Sequence, residues 1–266
     1  MTTEFERKHG FSRKDVMLAN WREVPYSRWA FHNLRELVPT AEIPCRMDAV
    51  ETSVEDGGLL SRQIASGIDG VTTVEDYLRH SHTDAFVVMR RGRIVGDYYA
   101  PNSGQGARHV VFSISKSITA LVSAVLQGQG LIDPDRPVGF YLPEAKGSAY
   151  GDCSYRDVLD MRVSLDFEEA YLDKHGPFAR YRRAMLWNPA EPGTTIEDMH
   201  SFLMSLKKAD GPHGGRFFYA SPNSDLLGII LERVTGKRYP DLVSELLWQP
   251  MGACSPAYVT VDSLGA

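Results

Sequence analysis

The spacing of apolar positions along the chain changes near residue 105, from an irregular and then alternating pattern to one with helical repeats. "DAFVVMRRGRIVGDYYA" holds two runs rich in Val, Ile, Phe and Tyr on either side of Arg90-Arg91-Gly92. That pattern predicts a β-hairpin over residues 84–99, with the glycine supplying the turn. Upstream, residues 1–70 mix proline, glycine and charge, and "NWREVPYSRWAFHNLREL" offers aromatic anchors that could strap this segment over a core. Val74 to His80 reads as a short helix.

Beyond residue 112, helix signals repeat. Ile118, Leu121, Val122, Val125 and Leu126 predict a helix buried on most sides, starting near Ser113. Ser154-x-x-Asp157 and Thr194-x-x-Glu197 both have the form of capping boxes, in which a hydroxyl and a carboxylate satisfy the free N–H groups of a first turn. Ser221-Pro222 predicts a third start, because proline fits the first helical position, where no N–H bond is lost. Its helix would bury Leu226, Leu227, Ile230, Leu231 and Val234 and stop at Gly236. Between Asp166 and Thr194 lies an aromatic, charged stretch with weak helical periodicity, long enough to be a lid or binding loop; a surface insertion would read alike. The expected organisation is an N-terminal strap with a short helix (1–83), a hairpin of an α/β sheet domain (84–104), a mainly helical domain (105–255) and the start of a further sheet segment (256–266).

Charge and composition narrow the function classes. A net charge of −5, with both signs interspersed, leaves no basic stripe for nucleic acid and no polybasic anchor for a membrane. The longest apolar stretches, 118–126 and 226–231, fall short of the roughly 20 residues that span a bilayer, and "MTTEFERKHGF" has no signal-peptide core. These features read as a soluble, cytoplasmic protein. Cys45, Cys153 and Cys254 are too few and too widely spaced for a zinc site or a disulfide framework and read as reduced thiols.

The candidate chemistry lies in "VVFSISKSIT". At a helix start, Ser113 and Lys116 share a face, so Ser113 Oγ and Lys116 Nζ could meet where the helix dipole favours developing negative charge. A lysine shielded by neighbours can lose its proton and accept the serine's. The spacing alone is weak: 21 serines and 8 lysines in 266 residues give about 0.6 chance pairs. Indeed Ser205-Leu-Lys-Lys208 repeats it, near the end of a helical stretch where lysines complement the C-terminal carbonyls. A capped helix with a snorkelling lysine would give the first match equally well.

Further stretches decide between these readings. After Ser113-x-x-Lys116 come "GQGLIDPDRPVGFYLPE", "YRDVLDMRVSLDF" and "RFFYASPNSDLLGIILERVTGKRYPDLVSELLWQPMGA". In order and spacing, the chain from about residue 84 to 262 resembles the serine β-lactamase-like superfamily of penicillin-recognising hydrolases. "NWREVPYSRWAF", "TDAFVVMRRGRIVGDYY" and "SLDFEEAYLD" are similar to its 6-aminohexanoate-dimer hydrolase (nylon-oligomer) subgroup and the carboxylesterase relatives.

The resemblance implies a β-lactamase/transpeptidase-like α/β fold, a helical domain against an antiparallel sheet with the active site between them. Within it, Ser113 is the acylated nucleophile, Lys116 its general base and Tyr219 of "YASPN" the proton-transferring phenol. Tyr171 of "FEEAY" matches a loop tyrosine that bonds the substrate amide, and Ser221 and Asn223 are candidates to orient Tyr219, although capping explains Ser221 as well. The expected activity is hydrolysis of small amides or esters through an acyl-enzyme, with no metal or organic cofactor. A carboxylesterase, a D-amino-acid peptidase or a β-lactamase would use the same groups, and a non-turnover penicillin-type sensor or an inactive fragment is the alternative of another class. Small-molecule substrates are expected, with neither nucleic acid nor membrane as partner and a homodimer left open. The family continues beyond the position of Ala266 with a K-T-G or H-x-G strand that supplies a second oxyanion donor, so the sequence reads as a fragment of a longer gene product.

Overall fold

The structure, a computed structural model, describes residues 2–46, 54, 57–66, 70–101, 103–104 and 106–266. The change of pattern placed at residue 105 falls outside them, as does part of the strap. In chain order the described elements are α1 (Glu4–His9), α2 (Ser27–Ala30), β1 (Thr40–Ile43), β2 (Gln63–Ser66), β3 (Gly70–Thr73), α3 (Val74–His80), β4 (Ala85–Arg90) and β5 (Arg93–Tyr99). They continue with α4 (Ile114–Gly128), α5 (Val138–Tyr141), α6 (Tyr155–Leu159), α7 (Pro177–Ala184), α8 (Met199–Ser205), α9 (Pro222–Thr235), α10 (Tyr239–Val243) and β6 (Ala257–Thr260). The chain divides into two compact units, Met1–Arg46 with Val110–Ala266, and Met47–His109. The strap is therefore shared: its first part packs with the helices, and the part beyond Arg46 belongs with the hairpin. Aromatic anchors explain the division, since Trp21, Trp29 and Leu34 have a buried cluster of their own to join in the larger unit.

In the smaller unit, β4 and β5 pair antiparallel from Ala85↔Tyr99 to Arg90↔Arg93, with an irregularity at Val88/Met89. Arg91 and Gly92 both have positive φ, 51° and 77°, which a two-residue turn of primed type requires. Strands β2 and β3 form a second antiparallel pair. Helix α3 follows directly, its N-cap Thr73 accepting a hydrogen bond from the Asp76 N–H.

In the larger unit, α9 lies at the centre of the main core. Leu226, Leu227, Ile230 and Leu231 are buried, Val234 partly so, and the helix ends on Gly236 at φ 67°. Around it pack Val122 and Leu126 of α4, Tyr155 and Val158 of α6, and Phe202 and Leu203 of α8. Strands β1 and β6 pair antiparallel from Thr40↔Thr260 to Ile43↔Ala257. All strand pairs among the described residues are antiparallel and two-stranded.

Two helix expectations need correction. Helix α4 is not buried on most sides: Thr119, Val122, Ser123 and Leu126 face the core, while Leu121 is 53% exposed. The buried stripe faces α9 and α10, which pack on the same side of the helix as Thr119 and Val122, and the side carrying Leu121 stays open. The Thr194/Glu197 box does not form. Thr194 Oγ1 donates instead to the Glu191 carbonyl, Glu197 pairs with Arg180, and α8 starts at Met199 with Asp198 accepting from the Ser201 N–H. By contrast, Ser154 and Asp157 make the full capping box of α6. No helix among the described residues is long and apolar enough to cross a membrane.

The three cysteines are free. Burial pushes the Cys153 thiol up to about 12, so it is inert as a thiolate. A thiol reagent should modify exposed Cys254 in the native protein and reach Cys153 only after denaturation, which a timed thiol titration checks. Leu231→Ala should lower the unfolding free energy by about 2–5 kcal/mol, read from a urea transition.

Candidate active site

The turn that begins α4 is bent at the residue before the serine. Phe112 has φ 45°, a left-handed conformation that costs a bulky residue about 1–3 kcal/mol. Aromatic packing holds it there. Trp21 stacks on the Phe112 ring at 6.2 Å between centroids, and Phe31 and Trp187 meet it edge-on at 5.1 and 5.9 Å. Trp21 is fully buried and its Nε1–H donates to the Trp187 carbonyl. The strap's aromatic residues thus act on the serine's backbone as well as on the core.

Ser113 occupies the N-cap position of α4 with αR geometry, and its side chain caps nothing. Its oxygen is therefore available, and two donors meet it: Lys116 Nζ at 3.0 Å and Tyr219 OH at 2.8 Å. This removes the helix-cap reading of the motif. Ser115 is a structural neighbour, its hydroxyl donating to the Phe112 carbonyl at 2.7 Å and tightening the bent turn. The second serine–lysine match comes apart. Ser205 Oγ donates to the Phe202 carbonyl, whereas Lys208 pairs with Asp152 at 3.0 Å.

Lys116 also lies over the Tyr219 ring, 5.3 Å from its centroid. Burial alone would raise the Tyr219 phenol, but hydrogen bonds with Ser113 and Lys116 and the lysine's charge outweigh it, leaving the phenol below its ordinary value. Lys116 and Tyr219 thus meet on one serine oxygen, within reach of each other for proton transfer through it.

The other sequence candidates divide. Tyr171 lines the same cavity as Ser113, a space of about 490 Å³. Its hydroxyl donates to Glu169 Oε2 at 2.7 Å, and its ring packs on Phe178 with centroids 4.8 Å apart. Burial, and then Glu169, push its phenol up to about 12, so it stays a neutral donor. The Ser221 N–H donates to the other Glu169 oxygen, and its side chain makes no cap to α9. Ser221 also reaches Tyr219, where its hydrogen bond favours the ionised phenol. Asn223 is not an orienter of Tyr219. It is fully buried, accepting from Tyr150 OH at 3.0 Å and directing Nδ2 at Met161 Sδ, which ties α9 into the core.

Glu169 is the residue that sequence reasoning missed, although it stands inside the quoted "FEEAY". It joins the loop carrying Tyr171 to the Ser221 backbone, two residues after Tyr219, and only the folded chain brings those together. Asp225, also in the cavity wall, was missed as well. Burial raises its carboxyl to about 6, while the bond from Tyr181 OH opposes the rise.

Residues 71–263 match the family model described as Beta-lactamase. The chain belongs to the beta-lactamase family. Among curated proteins, this beta-lactamase-family chain is 36% identical over 261 residues to 6-aminohexanoate-dimer hydrolase of Paenarthrobacter ureafaciens, covering 97% of the chain and 64% of that protein. Among solved structures, a Bacillus anthracis protein of 6-aminohexanoate-dimer hydrolase type superposes with a TM-score of 0.85 at 23% identity, over 96% of the chain and 66% of that protein. The octameric penicillin-binding protein homologue of Pyrococcus abyssi gives 0.52 at 20% identity, over 67% and 41%. These likenesses establish the β-lactamase/transpeptidase-like fold. The beta-lactamase-family chain spans about two thirds of the length of the two 6-aminohexanoate-dimer hydrolase relatives.

Replacing Lys116 by Met should raise the Tyr219 pKa, because the lysine's hydrogen bond and charge, which oppose burial, are then lost. Difference absorbance of tyrosinate, compared with a Tyr219→Phe control, reads the shift; an unchanged titration would show that the lysine does not act on the phenol.

Proposed function

We propose that the protein is a serine hydrolase that cleaves small amides or esters through an acyl-enzyme at Ser113. The observation that carries this reading is the convergence of Lys116 Nζ and Tyr219 OH on Ser113 Oγ. The reactive form of the three groups has lost one proton. Written as neutral Lys116 with protonated Tyr219, or as charged Lys116 with ionised Tyr219, it has the same net charge and the same free base for the serine proton.

Lys116 takes that proton as Ser113 Oγ attacks the carbonyl, and the Ser113 N–H, at the start of α4, stabilises the oxyanion. Tyr219 protonates the departing amine or alkoxide, and the acyl bond to Ser113 forms as the old bond breaks. Tyr219 regains its proton from Lys116; water then attacks the acyl-enzyme, giving a proton to Lys116, and Ser113 Oγ takes that proton back as the acyl bond breaks. Tyr171, whose one hydroxyl proton goes to Glu169, is placed to accept a hydrogen bond from the substrate amide N–H.

The relative from Paenarthrobacter ureafaciens is named for hydrolysis of 6-aminohexanoate dimer, which supports a short linear amide as the substrate class. The same reading gives small-molecule substrates and a cytoplasmic setting, with neither nucleic acid nor membrane as partner.

Ser113→Ala should abolish covalent labelling by a fluorophosphonate, while Ser205→Ala leaves it intact; labelling that survives in Ser113→Ala would overturn the assignment. Tyr219→Phe should slow hydrolysis of a nitrophenyl ester by roughly 10²–10⁴-fold, the span of acid–base catalysis by one positioned group. Pre-steady-state kinetics separate an enzyme, which continues after the first equivalent of nitrophenol, from a sensor, which stops there.

A further inference from the structure

Tyr219 enters α9 from a segment, residues 207–218, that forms neither helix nor strand. Bonds to neighbouring chain therefore fix where the phenol stands. They run to one stretch, residues 161–166, which is rooted in the main core by Val163 and Leu165. The Phe218 N–H donates to the Met161 carbonyl at 2.7 Å, the Gly214 N–H to the Arg162 carbonyl at 3.0 Å and the Asp166 N–H to the Lys207 carbonyl at 2.9 Å. The Arg162 guanidinium donates to the Gly214 and Gly215 carbonyls, and Ser164 Oγ to the Ala209 carbonyl. Met161 thus holds the residue before Tyr219 through its carbonyl and Asn223 through its sulfur.

One histidine sits among these bonds. The side chain of His213 is 7% exposed, and its two ring nitrogens have different partners. The Ser164 N–H donates to Nδ1 at 3.0 Å, so Nδ1 carries a lone pair and no proton; Nε2 carries the proton and donates to Asp152 Oδ1 at 3.0 Å. Only the neutral Nε2–H tautomer makes both bonds. A proton on Nδ1 sets two donors against each other and leaves the Ser164 N–H, between buried Val163 and Leu165, without an acceptor.

The charges around the ring act in both directions. Asp152 favours an imidazolium, but Lys208 holds the other oxygen of that carboxylate at 3.0 Å and balances its charge. The bond from Lys208, with a smaller part from His213, keeps the Asp152 carboxyl below its ordinary value. Asp157 Oδ1 lies 3.1 Å from the point where a Cβ would stand on Gly214, and the Arg162 cation faces the same turn through its bonds to Gly214 and Gly215. Asp210 adjoins through its carbonyl, which Ser164 Oγ also reaches at 3.4 Å, and Cys153, next to Asp152, is a neutral thiol. Carboxylates and cations thus alternate around the ring, whereas the Ser164 bond depends on the ring's own proton.

We propose that His213 is a positioning residue for Tyr219: its neutral ring pins segment 207–218 to residues 161–166, and protonation of the ring frees the segment, displaces the phenol from Ser113 Oγ and slows turnover. The pinning is present at higher pH and is lost as the pH falls, because the ring works deprotonated. The Ser113 site thereby becomes sensitive to acid through a group that touches neither substrate nor the reacting atoms. The effect on rate rests on the hydrolase reading, but the pinning is a property of the fold that needs no turnover.

The kcat for a nitrophenyl ester between about pH 8 and pH 5, the range over which histidines ordinarily change charge, tests it in the native protein and in His213→Asn. Asparagine offers an amide oxygen in place of Nδ1 and does not ionise. Titration of Lys116 and Tyr219 is common to both proteins, so the ratio of native to His213→Asn kcat should fall toward acid pH; a constant ratio would overturn the proposal. His213→Ala should lower kcat at the alkaline end by about tenfold to a hundredfold with KM little changed, the cost of a catalytic group displaced by up to about 1 Å, and His213→Asn should recover most of that loss. A native kcat in His213→Ala would also overturn it. Circular dichroism checks folding, and should either variant unfold, amide exchange in the native protein decides: protection of the Ser164 and Phe218 N–H groups, corrected for the intrinsic rate, should fall toward acid pH, and unchanged protection of Ser164 would remove the clamp. A native protein that neither turns over the ester nor takes up fluorophosphonate would strike the hydrolase reading and leave the exchange result standing.

Discussion

Two hydrogen bonds to one serine oxygen set the demands on the larger unit. For Lys116 Nζ and Tyr219 OH both to reach Ser113 Oγ, the first turn of α4 and the segment entering α9 must be held in register to within a few tenths of an ångström. Helix spacing supplies half of this, since Ser113 and Lys116 are three residues apart. The other half comes from packing, because Tyr219 lies 106 residues away in sequence. The contacts between α4 and α9 in the main core set that distance, and Asn223, locked to Tyr150, keeps the start of α9 in place.

The same constraint accounts for the strap. Ser154, extended at the N-cap of α6, turns its oxygen back to the helix N–H groups, whereas Ser113 is already αR and leaves its oxygen free of them. Left-handed Phe112 leads the chain into that turn, and Trp21, Phe31 and Trp187 surround its ring. Residues far from Ser113 in sequence therefore bear on its geometry. Trp187 serves twice, through its ring against Phe112 and through its carbonyl, which Trp21 and Arg22 both bind.

The electrostatics follow from which groups are compensated. Lys116 lowers the phenol of Tyr219, whereas Tyr171, next to Glu169 and with no lysine over its ring, moves upward. Burial raises both phenols; at Tyr219 the hydrogen bonds with Ser113 and Lys116 and the lysine's charge outweigh it, whereas at Tyr171 Glu169 adds to it and Arg182 opposes it only in part.

Features set by neighbours in sequence were legible from the chain alone. The hairpin turn at Arg91-Gly92, the exact span of α3, the capping box at Ser154 and the end of α9 at Gly236 each depend on a few adjacent residues whose backbone preferences are strong. Ser113 and Lys116 share a helical turn and were legible for the same reason, once the extended family resemblance set them apart from Ser205 and Lys208. Other features depend on partners that periodicity does not name. Thr194 lost its cap to the more favourable Asp198, Leu121 stayed exposed because the elements packed on α4 cover only part of its surface, and Asn223 bonds Tyr150. Glu169 and the cage around Phe112 likewise joined residues far apart in the chain. The sequence by itself determined which chemistry was on offer and where helices began; the tertiary structure alone decided which groups met, because contacts across more than a hundred residues depend on packing that local spacing does not encode.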